Sequence, residues 1–164
     1  NDSIEISPGI KKEKQGKEIW EPIRTKIKSL ITGDVDVNEI TPGGSSAIQT
    51  SLDPSLVKSD SLVGNLVGIS GKMPEVFYNL TVKKNLLKRV VGAKDELVVD
   101  PLKLNEILML NVNSTATVGT VTELKNEYVK VRLKKPISAF KNDRITISRM
   151  LGARWRLIGY GEII

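Results

Sequence analysis

The side chains available for chemistry are few in kind. The 164 residues include no Cys and no His. Without thiols there is no disulfide, no thiolate metal site and no thiol nucleophile. Without imidazole the commonest general base and metal ligand are missing, which excludes Ser-His-Asp and Cys-His hydrolysis by this chain. Asp34 with Asp36, and Asp53 with Asp60, form carboxylate pairs in loop-like surroundings. Such pairs occur in most chains of this length and make a weak case for glycosidase chemistry. A metal site built from Asp and Asn needs a tighter cluster than any here. No Gly-x-x-x-x-Gly-Lys-Ser/Thr loop is present, and the glycines between 64 and 71 have no helix after them to receive a phosphate. The expectation is a chain that is non-catalytic by itself, with no metal and no cofactor of its own.

Binding chemistry is better represented. Residues 1–73 hold 9 basic and 10 acidic side chains, a balance of −1, whereas residues 74–164 hold 16 and 9, a balance of +7. The whole basic excess lies in the second half, as expected either of polyanion contact or of a lysine-rich solubilising surface. In Glu18–Ile31, Ile19, Ile23, Thr25, Ile27 and Ser29 share one parity, and Arg24, Lys26 and Lys28 share the other. On a strand this sets the basic side chains in a row roughly 6.5–7 Å apart, close to phosphate spacing. The plainer reading is a barrel strand with a wet outer face. In Arg149–Gly161, Arg154 and Arg156 interleave with Trp155 and Tyr160, which suits stacking on bases. The plainer alternative turns Trp155, Leu157 and Gly159 inward and Arg154, Arg156 and Tyr160 outward in a closing strand.

Between these lies the stretch Thr41–Gly64. Pro42-Gly43-Gly44 makes a tight turn, since Pro presets φ and Gly accepts φ > 0. Ala47–Leu52 reads as a short strand that Asp53-Pro54 breaks. A polar loop carrying Lys58, Ser59 and Asp60 follows, and Leu62-Val63-Gly64 opens the next strand.

The elements that position these residues are strands. Ile4 and Ile6 alternate with polar neighbours before a Pro8-Gly9 turn, and Lys11–Lys17 reads as a charged loop. Val35, Val37 and Ile40 give a short strand, and Leu62–Ile69 another. Ser70–Pro74 carries Gly/Pro punctuation at the charge step, which sets the domain boundary at 73/74. Beyond it, Val76–Lys83, Ile107–Val112, Thr115–Leu124, Glu127–Lys135, Asp143–Arg149 and Ala153–Ile164 alternate as strands, with Pro136 ending the fourth. Leu86–Glu96 reads as a packed connection with room for one helical turn. Short strands with turn signals and no long helical pattern indicate an all-β fold, and the length fits two small barrels in tandem. The abrupt start suggests that the first strands of the first barrel lie outside this sequence. No apolar run reaches membrane-spanning length and no signal-peptide pattern is visible, so a cytoplasmic protein with no membrane partner is expected.

Several motifs resemble one family, in its order, over essentially the whole chain. They are Pro8-Gly9-Ile10, Trp20-Glu21-Pro22-Ile23, the Pro-Gly-Gly turn with Thr50-Ser51-Leu52-Asp53-Pro54, Asn85–Gly92, Glu106–Val112, Ser114–Thr117, and Arg154–Gly161 after Ile147-Ser148-Arg149. Together they resemble the gamma subunits of translation initiation factor 2, within the translational GTPases, and the short Gly92–Asn105 connection looks like the archaeal form. Ser45-Ser46 and Gln49 depart from the family's apolar and small residues at those places. The resemblance implies a second-domain barrel at 1–73, lacking its N-terminal strands, and a third-domain barrel at 74–164. It implies a GTPase parent whose GTP and Mg sit in an N-terminal domain absent here. That parent delivers methionylated initiator tRNA to the small ribosomal subunit as a heterotrimer with alpha and beta subunits. The candidate RNA- or subunit-binding residues are Arg24, Lys26, Lys28, Asp53, Lys58, Asp60, Arg154 and Arg156. Lys58 is expected on phosphate, and Asp53 and Asp60 as loop formers or ribose acceptors. Two other functions compete: a subunit-docking module without RNA contact, and a related elongation factor for a specialised tRNA.

Overall fold

The computed structural model describes residues 2–41, 43–93 and 96–164. Pro42 of the predicted turn, and Lys94 and Asp95 of the predicted connection, fall outside them. The chain divides into two compact units, Asn1–Met73 and Pro74–Ile164.

The first unit is an open sheet. Its strands are β1 (Ser3–Lys14), β2 (Lys17–Thr32), β3 (Val35–Val37), β4 (Ala47–Thr50) and β5 (Leu66–Ile69), in the order β3-β2-β1-β5, with β4 also paired to β2. Pro8-Gly9 does not turn the chain, contrary to the sequence reading. It forms a bulge inside β1, because pairing passes from Ile6↔Ile23 to Ile10↔Glu21 and leaves Ser7, Pro8 and Gly9 opposite Pro22. Pro22 has no N–H to offer a ladder, so the bulge falls where a regular bond could not form. Lys11–Lys14 is strand rather than loop, paired with Lys17–Trp20 around a Gln15-Gly16 turn. Leu62–Gly64 is turn, and β5 begins only at Leu66. Among the described residues of this unit the buried apolar side chains are Ile4, Ile6, Pro8 and Ile23.

The second unit is a closed six-stranded barrel. It is built from β6 (Val76–Leu86), β7 (Ile107–Val112), β8 (Thr115–Leu124), β9 (Tyr128–Ser138), β10 (Arg144–Leu151) and β11 (Arg154–Ile163), in the order β10-β11-β6-β9-β8-β7, with β7 returning to β10. Alternate residues fill the interior: Leu80 and Val82, Leu108 and Leu110, Val129 and Val131, Ile145 and Ile147 are all at most 1% exposed. Three expectations change here. Pro136 does not end β9, which continues to Ser138 after a break in register between Phe77↔Ile137 and Asn79↔Arg132. Leu86–Glu96 contains no helical turn among the described residues. Leu87 N–H donates to Ile158 O at 2.9 Å, Arg89 forms an isolated bridge with Val98, and Val91-Gly92 make a turn. In β11 a bulge at Ile158 interrupts the alternation: Arg154 and Tyr160 are exposed and Gly159 is buried, as the closing-strand reading has it, but Ile158 is fully buried as well and Trp155, Arg156 and Leu157 are each half-buried.

Candidate functional site

The β2 strand carries the first group of candidate cations. Arg24, Lys26 and Lys28 are exposed on one face while Ile23 is buried, as alternation requires. They are not equivalent. Arg24 Nε donates to Glu5 Oε2 at 2.9 Å, and Glu5 is buried, with Ser70 Oγ as a further donor at 3.4 Å. Arg24 therefore answers a buried carboxylate, which would be costly to leave alone. Lys26 and Lys28 have no ion pair among the described residues.

Beyond Lys26, β2 changes neighbours. Its last residues pair with β4 (Ile27↔Thr50, Leu30↔Ile48, Ile31↔Ala47), and Lys26 O accepts from Ser51 N–H at 3.3 Å. The free lysines of β2 and the segment leading to Lys58 thus share one end of one strand. Gly43 and Gly44 have φ of 111° and 77°, as the turn reading demands. The polar departures noted in the sequence are used locally: Gln49 Oε1 accepts from Ser29 Oγ at 2.8 Å, and Ser46 Oγ lies 3.2 Å from Thr32 Oγ1.

Residues expected to form an irregular loop instead form a kinked 3₁₀ segment, Pro54–Asp60. Asp53 caps it. Its carboxylate accepts from Ser55 N–H at 2.8 Å, and that backbone hydrogen bond is the main reason its pKa is lowered. Proline in the first turn suits a start where an N–H would be unsatisfied anyway. At the kink Lys58 is extended (φ −68°, ψ 144°), then Ser59 and Asp60 take φ of 56° and 55°. Asp60 O accepts from Val63 N–H at 3.0 Å, which closes the following turn. Asp53 and Asp60 thus both shape the loop. The Lys58 ammonium is exposed and has no ion pair among the described residues. Val57 and Val63, on either side, are 49% and 63% exposed.

Arg154 and Arg156 diverge. Arg154 is exposed in the β10–β11 hairpin, whereas Arg156 is half-buried near Gly92, where an added Cβ would come within 2.9 Å of its Nη1. Tyr160 accepts at its hydroxyl from Asn85 Nδ2 at 2.9 Å. On β9, Lys130, Arg132 and Lys134 do face outward, but Lys130 pairs with Glu123 at 2.6 Å, leaving two of that row without an ion pair among the described residues.

Sequence reasoning missed a clamp in the second unit. Arg149 pairs through Nε with Glu106 Oε1, and its Nη atoms donate to Glu106 Oε2 (3.2 Å), Asp100 O (3.0 Å) and Pro101 O (3.1 Å). Partners 43 residues apart leave no local signal. No group of three or more acidic residues stands ready for a metal among the described residues. No helix is long and apolar enough to cross a membrane.

Residues 78–163 match the family model described as Initiation factor eIF2 gamma, C terminal. Curated proteins called Translation initiation factor 2 subunit gamma align with 99% of the chain. That of Methanococcus vannielii is 50% identical over 163 residues, that of Pyrococcus horikoshii 48% over 162, and that of Methanocaldococcus jannaschii 46% over 162. The chain spans about two fifths of their length, 40%, 39% and 39% in turn.

Proposed function

The chain belongs to the Initiation factor eIF2 gamma C-terminal family, and from that premise we propose that it is the non-catalytic, tRNA-positioning part of a GTP-dependent initiation factor. In this reading the whole factor delivers methionylated initiator tRNA to the small ribosomal subunit in the cytoplasm, as a heterotrimer with alpha and beta subunits. The first unit is then the remainder of a second-domain barrel and the second unit the third-domain barrel. GTP and Mg belong to a part of the factor outside this chain. The residues here do not fit them: there is no phosphate loop in the sequence, and no carboxylate cluster among the described residues.

One observation carries the RNA role. The β2 end that bears Lys26 and Lys28 is hydrogen-bonded to the segment that runs into Lys58, and all three ammonium groups lack ion pairs among the described residues. Free cations along a rigid strand and its neighbouring loop are suited to successive phosphates. Asp53 and Asp60 hold the loop that presents Lys58; Arg24 serves the sheet, and Arg154 is a peripheral contact. Arg156, half-buried, supports the barrel. Exposed Val57 and Val63 beside Lys58 favour a second reading, in which this surface docks the alpha subunit.

Titrating the chain with the acceptor-stem end of methionylated initiator tRNA at two salt concentrations separates the readings. Phosphate contact predicts affinity that falls steeply with salt, and a log–log slope about one smaller in magnitude for Lys58→Ala. If the alpha subunit binds and the RNA does not, the surface is a docking site and the RNA role fails.

A further inference from the structure

The loop between β9 and β10 is held firmly but leaves an aromatic side chain outside. Ala139 N–H donates to Glu75 O at 3.2 Å, Phe140 N–H to Asp143 Oδ2 at 2.9 Å, and Asp143 N–H back to Phe140 O at 3.2 Å. Asn142, at φ 68°, donates its N–H to Ile163 O at 2.8 Å, and Ile163 N–H donates to Asp143 O at 3.1 Å. Asn113 Nδ2 adds a second donor to Asp143 Oδ2 at 3.1 Å, tying in the β7–β8 turn. A five-residue loop with this many bonds has little freedom left to lose on binding. Ala139 is 1% exposed, yet its neighbour Phe140 is 58% exposed. Leaving a phenyl ring in water forgoes one of the larger burial gains a side chain can make.

Cations flank the ring in the chain, and acids stand close by as well: Glu162 faces Arg144 in the β10–β11 register, and Glu75 O holds the Ala139 N–H. Lys141 and Arg144 are exposed, and neither has an ion pair among the described residues. The one acid of the loop, Asp143, has its Oδ2 occupied by the two donors named above. An aromatic face on a preorganised backbone, flanked by free cations, is the arrangement that holds an unpaired base with its phosphates. We propose that the Ala139–Asp143 loop is a stacking site for an unpaired RNA base, with the Phe140 ring under the base and Lys141 and Arg144 on the adjoining phosphates. A protein partner would have to bring an acidic segment with an apolar pocket. The basic balance of residues 74–164, +7, favours the polyanion.

This rests on the reading that the chain handles RNA and adds a contact separate from Lys58. The test is titration of the whole chain with a short oligouridylate, an RNA duplex of the same length and an acidic peptide. Phe140→Ala is expected to weaken the oligouridylate by about 5- to 150-fold, the range that loss of one stacked base gives. Phe140→Trp is expected to retain binding, and Lys141→Ala to reduce the salt slope by about one. Phe140 is mostly exposed, so these variants should keep the wild-type far-UV spectrum. The proposal is overturned if Phe140→Ala binds the oligouridylate like wild type, or if the duplex or the acidic peptide competes equally well. Lys58→Ala is the internal control. Oligouridylate binding that is insensitive to Lys58→Ala but lost in Phe140→Ala supports the stacking site even where the acceptor-end reading fails, and acceptor-end binding with no role for Phe140 sinks this site alone.

Discussion

Arg149 and Glu106 show how a charge is kept out of water in this barrel. Their side chains are 14% and 15% exposed, and three of the guanidinium nitrogens are bonded to the 100–106 segment. Arginine can do this because its planar fork meets a carboxylate and carbonyls at once. Arg149→Ala would leave Glu106 largely desolvated, and we expect a loss of about 3 kcal/mol in urea unfolding. The double variant Arg149→Met, Glu106→Leu should recover most of it, because a well-packed apolar pair leaves no charge uncompensated. Exposed pairs behave differently. Glu123, hydrogen-bonded by Lys130, and Glu21, hydrogen-bonded by Lys12, have lowered pKa values, as does Asp53 at its cap. A carboxylate with a lower pKa in the folded state stabilises above its unfolded value and loses that contribution as pH falls through the folded one. The urea midpoint is therefore expected to drop as pH is taken down through and below the carboxylate range. Glu123→Gln should flatten that dependence, and a midpoint that rises on acidification would contradict the assignment.

At the scale of elements, bulges matter more than turns. In β1 three residues face the single Pro22, and Gly9 accommodates the bulge with φ of 89°, which a residue without Cβ adopts freely. Its N–H donates to Asn65 Oδ1 at 2.7 Å, linking the bulge to the residue just before β5. A Cβ at position 9 would lie 1.9 Å from Glu21 O, backbone that cannot yield without breaking the β1–β2 pairing. Gly9→Ala is thus expected to cost more than about 3 kcal/mol, or to leave the first unit unfolded. Amide exchange would read this as lost protection in β1, β2 and β5 with the barrel unchanged. Wild-type protection at those amides would remove the bulge from the account of this sheet.

For the molecule as a whole, the two units differ in what they bury. Among the described residues, the second has a continuous core of seventeen buried apolar side chains, whereas the first buries Ile4, Ile6, Pro8 and Ile23 and leaves Val67 and Ile69 of β5 51% and 62% exposed. Burial at roughly 25 cal/mol per Å² favours the barrel strongly. Each unit holds one of the two tryptophans, Trp20 in β2 and Trp155 in β11. Urea titration of Trp155→Phe, which reports the first unit, should give a lower midpoint than titration of Trp20→Phe, which reports the second. Coincident transitions would mean that the units unfold together.

Period-2 alternation needs only neighbouring residues, and it determined the all-β class, the strands β7 and β8, the inward Ile145 and Ile147, and the outward faces of β2 and β9. The resemblance of its motifs, in their order along the chain, pointed to the family that the family model and the curated relatives show. The rest is set by contacts between residues far apart in the chain. The alternation of β11 holds at Arg154, Gly159 and Tyr160 but is interrupted at Ile158, because the bulge there comes from its pairing with β10. Pro8-Gly9 carries the local marks of a turn, and only Pro22 on the facing strand makes it a bulge. The candidate cations looked alike in sequence, and only tertiary structure separated them: Arg24 and Lys130 are committed to Glu5 and Glu123, Arg156 is half-buried, and Lys26, Lys28 and Lys58 have no ion pair among the described residues. A side chain's type fixes its charge; whether that charge remains available depends on what the fold places beside it.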